Sequence, residues 1–235
     1  MKKFILSVLS LCFIANVAVA QEQGYIKMEI TEVESDNAEM STYLEMMKGT
    51  ETEYMYTDDK SMVKANMMGG MVEMTTIVAN ADESMVMYMN AMGKKMQIES
   101  TKEERDMVEA KSQQEAPEFT IEYDENVTKE ILGHKCIKAV VTFDNPDSEE
   151  NMSMDMFVAP DLKMSSKMIQ GLDKVDIKGF PLEYIMDAGM MKMTVTATEF
   201  KEEVDVAAFE FNSKGYQKLT WEEFSEQMSQ MGGGF

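Results

Sequence analysis

The chain predicts a mainly β, α+β fold in which an antiparallel sheet is covered by two or three helices. Three observations lead there. Most of the sequence alternates apolar and polar residues with period two, the signature of half-buried strands. Turn signals punctuate it at short, regular intervals, as in a meander. A few stretches switch to helical spacing.

The first runs come in order. Ile26, Met28 and Ile30 alternate with Lys27 and Glu29, and Met55 stands between Tyr54 and Tyr56. Val63, Ala65 and Met67 share one face of the next run, and Val72, Met74, Thr76 and Val78 share one face of another. Asp58-Asp59-Lys60, Gly69-Gly70, Asn80-Ala81-Asp82 and Gly93-Lys94 supply turns between runs. Met85 to Met89 is apolar at every position, which predicts a strand covered on both faces. Later come Phe119-Ile121-Tyr123, then Ile137-Ala139-Val141-Phe143, then Met152-Met154-Met156-Val158 after an acidic turn at 144–151. Met191-Met193-Val195-Ala197 alternates cleanly with Lys192 and threonines.

Helical spacing occurs at Met40, Tyr43, Leu44 and Met47, with Asp36 or Asn37 to start the helix and Gly49 to end it. Thr220 to Met231 opens on a capping box, Thr220-x-x-Glu223, and carries an apolar stripe of Trp221, Phe224, Met228 and Met231. A shorter helix is expected over Ser166–Leu172. Thr101–Ala116 has its own capping box but little to bury, so it reads as an exposed helix or a mobile connection.

The N-terminus reads as an address. Lys2 and Lys3 precede an apolar run from Phe4 to Ile14, and Ala18-Val19-Ala20 forms a small-x-small site, the pattern of a secretory signal peptide cut after Ala20. A lipoprotein reading through Cys12 is weaker, because Leu11 stands where a small residue is needed. Residues 21–231 then form one β-rich domain with a charged connection near 101–117, and 232–235 form a flexible tail. The location expected is the periplasm, with an extracellular or outer-membrane-associated site as the alternative. No later run is long enough for a transmembrane helix. Losing Lys2 and Lys3 takes the net charge from −21 to −23, which repels nucleic acid. Cys136 becomes the one mature cysteine, either buried or pairing with another molecule. Oligomeric state is left open.

Two stretches carry a resemblance. Ile131-Leu132-Gly133-His134-Lys135-Cys136-Ile137-Lys138-Ala139 resembles an I-x-G-x-K-C-x-K-A motif, and Lys178-Gly179-Phe180-Pro181-Leu182-Glu183-Tyr184 resembles a K-G-x-P-L-E-Y motif. Both recur in a family of exported Gram-negative bacterial proteins of unknown function, similar in layout to the LolA/LolB lipoprotein-carrier superfamily. That resemblance implies a sheet curled into an incomplete barrel, helices on its concave side and an apolar cavity suited to acyl chains. It transfers no functional residue.

Chemistry is sparse. No nucleophile elbow, zinc-protease helix motif or phosphate loop occurs, and no cofactor is implied, so the chain reads as non-enzymatic. His134 and Cys136 lie two apart on one strand face, yet two ligands make a weak metal site beside a structural thiol. The outstanding feature is 28 methionines against nine leucines. Met85, Met87, Met89, Met152, Met154, Met156, Met191 and Met193 place thioethers on strand faces, a flexible lining for a lipid or an acylated protein partner. Two other readings stay open. One is a methionine-for-leucine core in a structural or stress-related envelope protein without a small ligand. The other is Cu(I) binding, since M-x-M spacing sets two soft sulfurs about 7 Å apart; the methionines, however, are spread along the chain on faces that must be apolar anyway.

Overall fold

The computed structural model describes residues 23–37, 41, 44–112, 118–143, 152–169, 171–172, 174–187 and 191–230. The expected signal segment, Met40 and Tyr43 of the first helix, the 144–151 turn and the 232–235 tail lie outside these residues.

Twelve strands form one sheet. They are β1 Gly24–Ser35, β2 Glu51–Tyr56, β3 Lys60–Met67, β4 Val72–Ala79, β5 Met85–Ala91, β6 Lys94–Ser100, β7 Phe119–Ile131, β8 His134–Phe143, β9 Met152–Ala159, β10 Phe180–Asp187, β11 Met191–Lys201 and β12 Gln217–Thr220. Two helices are complete among the described residues, α1 Lys102–Ser112 and α2 Trp221–Gln230. The order across the sheet is β12-β6-β5-β4-β3-β2-β1-β11-β10-β9-β8-β7, with β12 and β7 at its edges. The expected fold class is therefore observed: mainly β, one open curved antiparallel sheet. β12 departs from it by pairing parallel to β6. That pairing follows from the route of 202–216, which leaves β11 beside β1 and rejoins the sheet at its far edge.

Tyr54 on β2 and Tyr184 on β10 measure the curvature. Register places both on the face of Met28, Ala197 and Val195. Three strand spacings separate them, about 14 Å if the sheet were flat. The Tyr54 ring nevertheless meets Phe180 of β10 edge-on, with centroids 5.6 Å apart. That face is concave.

Two apolar clusters occupy the concave side. The larger joins β1, β2 and β7–β11 to Leu162, Met164, Ile169, Leu172, Val175 and Ile177 of the β9–β10 connection. Here the expected helix over Ser166–Leu172 is corrected: only a 3-10 turn, Ser166–Met168, forms. The apolar residues of this connection follow no single period, so it covers the sheet as an irregular strap. The smaller cluster sets Phe224 of α2 on Met85, Met87, Ile98 and Leu219. The Thr220 capping box starts α2 as expected: Thr220 N–H donates to Glu223 Oε2 at 2.8 Å, and Glu223 N–H to Thr220 Oγ1 at 3.2 Å. Thr101 and Glu104 do the same for α1, which packs beside α2. Arg105 ties α1 down by donating to Ser100 Oγ at 3.0 Å and Glu83 O at 2.6 Å. Of the first expected helix, Leu44 is helical and buried, and Ser41 N–H donates to Asn37 O.

β5 is covered on both faces, as its composition requires. α2 lies over Met85 and Met87, while Phe211 stacks on Tyr88 from the other side at 4.0 Å with Tyr216 edge-on to both.

Candidate functional site

Register turns the concave face into rows. One row runs Ala65–Met74–Met89–Met96 across β3 to β6; the next is Val63–Thr76–Met87–Ile98–Leu219; the next is Ser61–Val78–Met85–Ser100. At the β6 end these rows lie under α2. Toward β1 they continue through Tyr54 into the larger cluster, whose cover is the 160–179 strap. Between the two covers, Val63, Ala65, Met74, Thr76 and Val78 are all half-buried. The result is a trough along β3 and β4, apolar apart from Thr76 and Ser61.

The eight methionines expected to line a site divide. Met85 and Met87 are buried under α2, and Met89 is half-buried at the trough edge. Met154, Met156 and Met193 are buried in the larger cluster with the strap residues. Met152 is 47% exposed at the start of β9, and Met191 is half-buried at the start of β11. The structure therefore brings Met85, Met87 and Met89 together, and separately Met154, Met156 and Met193. Met74, Val78 and Met96 pack against the first group, whereas Val63 packs against the larger cluster. Their positions follow from cross-strand register rather than from spacing along any one strand.

His134 and Cys136 have local partners. His134 Nδ1 lies 2.7 Å from Asp161 Oδ2, with the Phe200 ring edge-on at 4.5 Å. Cys136 is fully buried, and its thiol donates to His134 O at 3.6 Å. Burial first, and Asp161 second, push this thiol up to about 11. Among the described residues, no group of three or more His, Cys, Asp or Glu side chains is placed to hold a metal.

The two sequence motifs have structural work. In the first, Leu132 and Gly133 both take positive φ, 50° and 86°, the two-residue turn that joins β7 to β8. In the second, Lys178 N–H donates to Tyr123 OH at 3.1 Å while its ammonium lies 5.1 Å from the same ring. Glu183 accepts from Lys129 at 2.7 Å, and Phe180 meets the Tyr54 ring edge-on at 5.6 Å. The motif thus knits β10 to β7 and β2.

A depression of about 710 Å³ lies elsewhere, at the polar turn Lys201–Asp205. No helix among the described residues is long and apolar enough to cross a membrane.

No protein-family model matches the chain, and no curated protein sequence does. Among solved structures it is similar to the Mycobacterium tuberculosis lipoprotein LppX, at TM-score 0.36 and 9% identity over 79% of this chain and 90% of that one. A DUF1329 family protein from Desulfovibrio piger gives TM-score 0.36 and 8% identity over 82% and 91%. LprF from Mycobacterium bovis gives 0.31 and 11% over 80% and 90%.

Proposed function

We propose that this chain is an exported, non-enzymatic binding or carrier module that holds an apolar ligand, a lipid or acyl chain, in the trough over β3–β5. One observation carries the reading: the concave face is covered at both ends by separate apolar clusters, and the face of β3 and β4 between them stays half-buried. An apolar strip of this kind favours a ligand that removes it from water. From Ser61 to Met67 the strip runs about 20 Å along the strand, a length suited to an extended chain. Methionine lets the lining adapt to ligands of different shape. The basic, apolar and small-residue segments ending at Ala20 support export.

Native mass spectrometry of the gently purified protein tests the proposal. The expected result is a bound lipid mass that a Val63→Asp variant loses while its circular dichroism stays unchanged. Protein repeatedly free of lipid would overturn it.

A second reading, a structural envelope protein without a small ligand, is favoured for the other half of the sheet. There Met154, Met156 and Met193 share one buried cluster with Leu162, Met164 and Leu172 of the strap. On that reading both halves behave as packed core, and Val63→Asp changes stability without any ligand to release.

A further inference from the structure

We propose that Met74, Met89 and Met96 form a binding site for a soft monovalent metal cation, Cu(I) or Ag(I). The three stand directly opposite one another on adjacent antiparallel strands, Met74 against Met89 and Met89 against Met96. Opposed side chains on one face start about 4.5–5.5 Å apart at Cβ, and each methionine has three rotatable bonds, so three sulfurs can meet above the central residue. Thioethers are soft ligands and select Cu(I) over the hard cations that carboxylates bind. All three residues are half-buried, shielded yet reachable from solvent. Their neighbour in the row is Ala65, whose short side chain leaves that flank open.

Two further methionines are open to solvent nearby in the chain. Met71 and Met92 lie at the same end of these strands, linked by Met92 N–H donating to Met71 O at 2.9 Å. They are 45% and 80% exposed. These two exposed thioethers stand at the strand ends, three residues along the chain from Met74 and Met89. The ligands are neutral, so the cation keeps its charge, which a chain of net charge −21 attracts.

The test uses lipid-free protein, so that its outcome does not depend on the carrier reading. Cu(I), held by a competing chelator under anaerobic reducing conditions, is titrated against the protein, and Ag(I) titration is followed by 13C-methyl methionine NMR. One equivalent should bind and shift three methyl signals above all others. Combined Met74→Leu, Met89→Leu and Met96→Leu replacement conserves volume and keeps the fold. It should abolish the tight equivalent, and each single replacement should weaken it by at least the roughly 10–100-fold that loss of an outer-shell partner costs. Met164→Leu with Met168→Leu and Met186→Leu should retain it, as should Cys136→Ala. Absence of 1:1 uptake, undiminished binding by the triple variant, or loss of binding in Cys136→Ala alone would each overturn the site.

Discussion

Gly179→Ala should be among the most damaging single-methyl additions in this chain, and its cost can be worked from the backbone. Gly179 stands just before β10 with φ +106°, outside the region open to alanine. A Cβ there would overlap the Ala159 carbonyl oxygen and come within 2.7 Å of Pro160 Cα and 2.8 Å of Ala159 C. All three are backbone atoms of the neighbouring β9 end, so no side chain can rotate away. Holding alanine at such a φ costs about 1–3 kcal/mol. Forcing the overlap apart costs about 1–3 kcal/mol more, as overpacking does. The stiffer unfolded chain returns about 0.4–1 kcal/mol. Gly171 separates the contributions: its φ is +85°, but a Cβ would meet nothing within 4 Å. Gly171→Ala therefore carries the strain without the overlap, and the two variants should differ by about 1–3 kcal/mol. In urea, with a slope near 2 kcal/mol per molar, that difference is a midpoint gap of about 0.5–1.5 M. Equal midpoints for the two variants would refute the close approach of β9 and β10 at this position.

Further expectations follow from burial. Phe224 of α2 is buried against Met85, Met87, Ile98 and Leu219, so Phe224→Ala should cost about 3–5 kcal/mol and release the helix; fluorescence of Trp221, the one tryptophan in the chain, reports it, and an unchanged emission would refute the docking. Native Cys136 should resist thiol reagents at neutral pH and react fully in urea. Because folding raises its titration from 9.0 to about 11, its contribution to stability is present below pH 9 and is lost as pH rises toward 11, which denaturation midpoints across that range would show. Peroxide should oxidise Met92, Met46 and Met107 first and spare Met28, Met62 and Met156 until unfolding, with peptide mass spectrometry giving the order.

The strands were legible because each burial pattern is local. In β11 the buried positions Met193, Val195 and Ala197 alternate as their sequence does. The capping boxes at Thr101 and Thr220 were legible for the same reason, since the partner is three residues away. The β1–β11 pairing was not legible, because it joins residues some 170 positions apart and no local rule selects it. The 160–179 strap was misread for a different cause. Its apolar residues are held by the curved face beneath them, so their spacing follows the contour of the sheet rather than any backbone period. Cys136 shows the limit of alternation: it assigns the core to Ile137, Ala139 and Val141, yet Cys136 is fully buried in the same cluster as Ala139 and Val141 while Ile137 is half-buried. A shift in the β7–β8 register between Asp124 and Thr128 lies beside it, a local break that alternation within β8 cannot register.

The candidate site sits at the same boundary between local and long-range information. Within a strand, M-x-M spacing can only set sulfurs a two-residue step apart, about 7 Å. The closer neighbours lie across strands, and reaching them requires the register. Half of that register was within reach. Met92 and Gly93 form a two-residue turn with positive φ at both positions, 51° and 85°, and counting outward from it pairs Ala91 with Lys94 and then Met89 with Met96. The other half, Met74 against Met89, depends on the longer connection after β4, where Ala79 N–H donates to Ser84 O and the loop length alone does not choose the pairing. Composition therefore marked methionine as the material of this face. Only the folded sheet, by aligning residues 74, 89 and 96, turns three scattered core choices into one row with chemistry of its own.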